Sequence, residues 1–197
     1  LQRRFADSEN LLVINRDALD VDFSELIRTQ GFDRAVLVGN LPFNITGTIV
    51  KKILDSRQVL KRAIVMLQRE VAKRIVSPPD VKDYGILSIA VQIRTRPERL
   101  FDLTPDSFDP PPKVHASVVG LELEQEPPIQ LKDEPLFFTV VRMAFNQRRK
   151  MLKNTIANLV GGDAGVLNDL LLEAGVDPQA RPEAVSIEHY ERICRKL

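Results

Sequence analysis

The sequence predicts an α/β domain built on a mixed, mostly parallel sheet, followed by a small all-helical domain. Short β-branched runs alternate with helix-periodic stretches at first, which is the pattern of βαβ units. A proline-rich link then joins two longer apolar runs, and beyond Leu136 the strand signals stop.

Residues 1–5 (LQRRF) look like the tail of a helix feeding a strand at 11–14. Residues 35–38 and 63–67 are the next expected strands, and 45–55 is the helix between them. The runs 86–93 and 114–121 are expected to be two long strands. Their connection, 102–113, carries Pro105, Pro110, Pro111 and Pro112 and no helix signal, so the pair should form an antiparallel edge. A second linker, 122–135, holds Pro127, Pro128 and Pro135, which sets the expected domains at 1–126 and 127–197. From Leu136 to Leu159 the apolar positions recur mostly at three and four, as in a helix, until Gly161-Gly162. Residues 164–174 and 186–197 are two further expected helices, the second with Ser186 as N-cap.

Composition narrows the functional classes. The 197 residues are 44% hydrophobic and 28% charged, which is enough for one ample core or a core plus a small second domain. One cysteine cannot form an internal disulfide, and with two histidines it offers no plausible zinc cluster, so no metal is expected and a reducing cytoplasm fits best. No apolar run approaches the ~18 residues of a membrane span. Net charge is only +1 but unevenly spread. Arg142, Arg148, Arg149, Lys150 and Lys153 lie in a stretch, 136–160, without a single acid, and a second basic cluster runs from Lys51 to Arg74. Local basic fields on a nearly neutral chain point to a polyanion.

Ligands of open α/β sheets bind beyond the carboxyl ends of the strands. Gly39-Asn40-Leu41-Pro42-Phe43 sits at such an end. Its residue types also suit a plain turn, yet ordinary usage gives only roughly 0.03 chance matches to Asn-x-Pro-aromatic in a chain of this size. The grouping suits an exocyclic amine of a nucleobase. The Asn40 amide oxygen and the Leu41 carbonyl could each accept one N–H and draw the nitrogen toward tetrahedral geometry, restoring its lone pair. Pro42 fixes φ and removes a competing donor. Phe43 offers a stacking face for a base taken out of its helix, worth ~1–3 kcal/mol.

These residues, Asn40-Leu41-Pro42-Phe43-Asn44-Ile45, resemble the fourth motif of the ribosomal RNA adenine N6-dimethyltransferases, which usually have Tyr where this chain has Phe43. LQREVAKR at 67–74, YGILS at 84–88, FDPPPKV at 108–114 with Ser117, and AFNQRRK at 144–150 are similar to further family signatures, in family order. The last two, with Leu at 41, favour the small-subunit (KsgA-type) branch over the large-subunit macrolide-resistance branch. The resemblance implies a Rossmann-like class I methyltransferase fold with a C-terminal helical domain, S-adenosylmethionine as methyl donor, and 16S rRNA of the small subunit as partner of a monomeric enzyme. It implies that Asn40 contacts donor and target N6, that Leu41 offers its carbonyl, and that Phe43 stacks on the adenine. It further implies that Asp17 holds the donor's adenine amino group, that Phe108 is a second aromatic near the target base, and that Lys113 belongs to the RNA side. Outside the resemblance Asp17 reads equally as a loop or capping acid, and Phe108 as a packed loop anchor.

If residues 142–154 are one helix, Arg142, Asn146, Arg149, Lys150 and Lys153 form one polar face suited to phosphates. Arg148 falls nearer the apolar side, so it is expected to be structural or to mark a break. Lys51, Lys52, Lys73 and Arg74 are weaker candidates, and His115 and His189 are expected to be ordinary strand and helix residues. The family's glycine-rich donor loop and its ribose-binding acid are not found, so strands and helices amounting to roughly sixty residues, at ~30 per βαβ unit, are expected to be missing. The chain by itself is accordingly expected to bind donor poorly and to be inactive. A non-catalytic RNA-binding assembly factor and the large-subunit enzyme stand as alternatives.

Overall fold

The computed structural model describes residues 10–197. The helix tail expected at 1–5 lies outside the described residues. Residues 11–14 form no ladder. Leu11, Leu12 and Ile14 stay exposed, and with no ladder partner among the described residues an apolar run gains nothing from strand geometry.

Helix α1 (Phe23–Thr29) starts where the Asp22 carboxylate accepts from the Ser24 and Glu25 N–H groups at 2.8 and 3.0 Å. Strand β1 (Ala35–Asn40) leads through a 3-10 turn (Phe43–Ile45) into α2 (Thr46–Asp55). Next come β2 (Leu60–Gln68), α3 (Arg69–Val76) and α4 (Ile86–Gln92). Strands β3 (Arg96–Leu103) and β4 (Ala116–Glu122) complete a sheet of order β1-β2-β4-β3. The sheet is mixed, as expected, but among the described residues it is not mostly parallel: β1 and β2 pair in parallel, while β4 runs antiparallel to both β2 and β3, because β3 and β4 are joined without a crossover helix.

The register sorts side chains between the two faces. Ala63, Val65 and Leu67 of β2 and Val119 and Leu121 of β4 are buried under Ile49, Val50 and Ile53 of α2, Ala72 and Ile75 of α3, and Val91 of α4. On the other face, register aligns Asn40, Met66, Val118 and Phe101 in one row across all four strands. Among the described residues this second face is partly open, with Val38 76% and Phe101 54% exposed.

Residues 86–93, expected as a strand, are helical instead. The reason lies in what flanks and surrounds them. The Gly85 N–H donates to Ser88 Oγ at 3.0 Å, and that hydroxyl donates to the Arg74 carbonyl at 2.5 Å, starting a helix against the end of α3. One turn on, Gln92 Nε2 donates to the Ile75 and Ser77 carbonyls at 2.9 and 2.8 Å. The run is apolar because α4 is buried on two sides, a case that periodicity cannot separate from a buried strand. The edge strand is β3 instead, and its Arg96, Glu98 and Arg99 hide it from a hydrophobic reading while protecting an open edge.

Four helices follow the linker: α5 (Glu134–Asn146), α6 (Leu152–Ile156), α7 (Ala164–Glu173) and α8 (Ile187–Lys196). Ser186 caps α8 as expected, accepting from the His189 N–H at 3.3 Å. Their core contains Phe137, Val140, Leu152, Leu171 and Tyr190, and it also takes in Tyr84, Ile89 and Ile93 from upstream of the linker. The linker is held down by Glu191, which is 5% exposed and accepts from the Lys132 N–H at 3.0 Å and Arg195 Nε at 2.9 Å.

Residues 142–154 are not one helix. Continuing α5 beyond Ala144 would carry Arg148 into the stripe of Phe137, Val141 and Ala144. The helix instead ends at Asn146, and the chain turns with the Lys150 N–H donating to the Gln147 carbonyl at 2.8 Å. Leu152 and Ile156 then re-enter the core.

Since Ile89 and Val91 of one short helix serve different cores, the cores should melt together. Ile89→Ala is expected to cost about 2–5 kcal/mol and to leave a single transition, coincident by far-ultraviolet dichroism and by tyrosine fluorescence. Cys194 supplies a second probe, because burial pushes its thiol up to about 12. Thiol labelling at neutral pH should follow that same transition rather than precede it.

Candidate functional site

The end of β1 meets the carboxyl end of β2, and the Leu41 N–H donates to the Met66 carbonyl at 3.4 Å, extending the ladder one residue past the strand. Leu41 then folds its side chain into the core, 8% exposed. Gly39 permits this: a Cβ there would lie 3.1 Å from Leu41 Cδ2. The Pro42 carbonyl is taken by the Ile45 N–H at 3.2 Å, with the Thr46 hydroxyl at 3.5 Å. The turn is therefore closed from within by the Leu41 N–H and the Pro42 carbonyl. Among the described residues, no hydrogen bond engages the Asn40 side-chain amide or the Leu41 carbonyl. Asn40 is exposed and Phe43 half-buried. Two acceptors and a ring thus stand together at the carboxyl edge of the sheet.

The same edge carries the loop between β3 and β4, because Gln68, Ala116 and Leu103 share one register row. The Arg69 N–H donates to the His115 carbonyl at 2.9 Å, fastening the far end of the loop to the start of α3. At the near end, Pro105–Ser107 is a 3-10 turn closed by the Phe108 N–H donating to the Pro105 carbonyl at 3.1 Å. The loop holds Phe108 half-buried and Lys113 exposed.

Asp17 lies in a short turn. Its Oδ1 accepts from the Leu19 N–H at 2.9 Å, and its main-chain carbonyl accepts from the Asp20 N–H at 3.0 Å. That turn is tied to α2 by Lys52, whose Nζ donates to the Leu19 carbonyl at 2.5 Å and lies 5.0 Å above the Phe23 ring. Asp17 is therefore a loop acid with one oxygen occupied, held against the helix that follows the Asn40 turn.

The basic residues divide. Arg142 is exposed on α5 and borders a recess of about 590 Å³ between α2, α4 and α5, with Gly47, Leu87 and Phe138 on its walls. Arg149 and Lys150 are exposed in the turn after α5, and Lys153 is half-buried on α6. The single polar face expected of 142–154 is replaced by a helix end and a turn. Half of the second cluster has local partners: Lys51 pairs with Asp55 at 2.6 Å, Arg62 with Glu122 at 2.8 Å, Arg74 with Glu70 at 3.6 Å, and Lys52 serves the Asp17 turn.

One pair had no signal in the sequence. Ser117, fully buried, donates its hydroxyl to Asp102 Oδ1 at 2.6 Å, joining β3 to β4 at the base of the Phe108 loop. The two residues stand fifteen apart, and only the ladder aligns them. This hydrogen bond, and then the nearby Arg99, Arg69 and Lys73, hold the Asp102 carboxyl below the usual carboxylate range.

The profile of the ribosomal RNA adenine dimethylase family matches residues 1–197. The chain belongs to that family. It is 42% identical over 191 residues to ribosomal RNA small subunit methyltransferase A of Caldanaerobacter subterraneus subsp. tengcongensis, covering 96% of this chain and 70% of that relative. The protein of that name from Desulfitobacterium hafniense (strain DSM 10664 / DCB-2) is 41% identical over 181 residues, covering 92% of this chain and 64% of its own length. The chain thus spans about two thirds of the length of these relatives. In fold it is similar to a dimethyladenosine transferase from Plasmodium falciparum, with TM-score 0.77 and 20% identity over 98% of this chain and 74% of that one. It is similar also to the 23S rRNA methyltransferase ErmE, with TM-score 0.73 and 21% identity over 100% and 75%. The chain thus shares its mixed α/β fold with these solved structures.

A depressed carboxylate contributes stability that is present above its unfolded-state value and lost as pH falls through the folded one. Ser117→Ala should therefore raise the Asp102 titration midpoint and weaken that acid-range dependence. Carboxyl-carbon NMR titration of the two proteins measures both midpoints.

Proposed function

We propose that this chain provides the target-adenine site and the RNA-contacting surface of an S-adenosylmethionine-dependent dimethyltransferase. Its substrate is the N6 of two adjacent adenosines in the 3′-terminal hairpin of 16S rRNA, within the small ribosomal subunit or its precursor, and it acts as a cytoplasmic monomer. Residues 1–126 belong in this reading to the methyltransferase domain and 127–197 to the RNA-binding domain. The observation that carries it is the pair of unengaged acceptors, the Asn40 amide and the Leu41 carbonyl, beside Phe43 at the carboxyl edge of the sheet.

An adenine N6 has two N–H bonds and a lone pair delocalised into the ring. The Asn40 oxygen and the Leu41 carbonyl hold those N–H groups out of the ring plane, which returns the lone pair to nitrogen, and Phe43 stacks on the base. Pro42 keeps the acceptors in place at no cost at the moment of reaction. S-adenosylmethionine, when bound, supplies an electrophilic methyl group. The residues present suit it: the Asp17 carboxylate has one oxygen beyond the Leu19 contact for the donor's adenine amino group, and Asn40 stands at the target end. Phe108 supplies a second aromatic surface, and Lys113, Arg142, Arg149, Lys150 and Lys153 supply phosphate contacts. The lack of a phenol at Phe43 removes a hydroxyl contact and leaves the stacking face.

In a protein that carries a donor-binding loop together with this chain, Asn40→Ala is expected to lower methyl transfer to unmethylated small subunits on the order of 10²-fold, with subunit binding unchanged in a sedimentation assay. Unchanged turnover would refute the assigned role, and transfer to large subunits instead would favour the macrolide-resistance type. Phe43→Ala should weaken adenosine engagement by about 1–3 kcal/mol, whereas Phe43→Tyr should not.

A further inference from the structure

Arg148 stands beside Arg149 and Lys150 in sequence but faces another way. Its guanidinium Nη2 donates to the Lys82 carbonyl, and its Nε lies 3.7 Å from Glu183 Oε2. Glu183 in turn accepts, through its main-chain carbonyl, the Asp80 N–H at 2.7 Å. Asp80 adopts φ 66°, in the left-handed region that Asp tolerates better than most residues. A few residues on, Tyr84 is buried in the helical core with its ring edge-on to Phe145, centroids 6.3 Å apart. The loop between α3 and α4 is thus gripped at Asp80, Lys82 and Tyr84 by Glu183, Arg148 and Phe145 of the C-terminal part, with Arg148 and Glu183 as its charged members.

A surface ion pair is worth little as a stabiliser, so the significance of this one lies in direction. The turn after α5 has to bring Arg149 and Lys150 out to solvent, and Arg148 pins its start to the first domain. From Lys82 the chain runs back along α3 to the end of β2, where Met66 is the register partner of Asn40.

We propose that Arg148 is a positioning residue rather than a phosphate contact: it fixes the Arg149-Lys150 turn relative to the Asn40 edge, so that bound RNA reaches that edge in one register. The proposal rests on the adenine-site reading above. A guanidinium that engages a carbonyl and a carboxylate within the protein has fewer donors for a phosphate, whereas Arg149 and Lys150 are exposed.

The test uses the full chain and a 3′-terminal small-subunit rRNA hairpin. Removing one cation that neutralises a phosphate should lower the slope of log affinity against log salt by about 0.7–0.9. Arg149→Ala should show that decrease, while Arg148→Ala should keep the parental slope and an affinity within about threefold. In the second arm a photoreactive benzoylphenylalanine replaces Phe43, and the cross-linked nucleotides are mapped. The unaltered clamp should mark the adjacent adenosines; Arg148→Ala and the milder Glu183→Gln should spread the marks to neighbouring nucleotides; Arg148→Lys should narrow them again. A reduced salt slope in Arg148→Ala, or an unchanged cross-link map in both clamp variants, overturns the proposal. A parent that marks no adenosine overturns the adenine-site reading instead, and the slope comparison still decides the part played by Arg148.

Discussion

The arrangement depends on one short helix that is shared between two cores. In α4, Ile89 and the following Ile93 enter the core of the C-terminal helices, while Val91 enters the core beneath the sheet. Ser88 and Gln92 bind the helix to α3, donating to carbonyls at its end, while Ile86 stays exposed. A helix buried between two cores cannot rotate or slide without opening cavities in both. The distance from the sheet edge to the C-terminal basic turn is thereby set by packing and trimmed by polar contacts such as those of Arg148.

At the sheet edge the same economy appears on a smaller scale. The turn after β1 uses the Leu41 N–H and the Pro42 carbonyl to close itself, and among the described residues it leaves two acceptors unengaged. Acceptors left over on a rigid backbone are suited to hold an amine in an unusual geometry, because nothing has to reorganise when it arrives. The β3–β4 loop reaches the same edge through the ladder, braced at its base by Ser117 and Asp102.

Much of this was legible in the residues. The turn at 39–43 announced itself because Asn, Pro and an aromatic at the end of a strand each suit a separate physical reason, and those reasons are local. The helix cap at Ser186 was legible for the same cause. The run at 86–93 misled because an apolar run is equally what a helix buried on two sides shows. Strand β3 was overlooked because its edge position calls for charge. The basic stretch 142–154 was expected as one face, but the packing of Leu152 and Ile156 required a turn there.

The sequence by itself determined the residue types of the turn after β1, its place after a strand, the order of strands before helices, and the presence of basic side chains near the end of α5. Each of these follows from neighbours in the chain, whose steric and hydrogen-bonding preferences act over a few residues. The tertiary structure alone decided which basic residues face outward, which acid is paired with Ser117, and which loop shares an edge with Asn40. Those outcomes depend on residues from fifteen to more than sixty positions apart, as with Asp102 and Ser117 or Arg148 and Lys82. Only strand register and the burial of α4 bring such residues together.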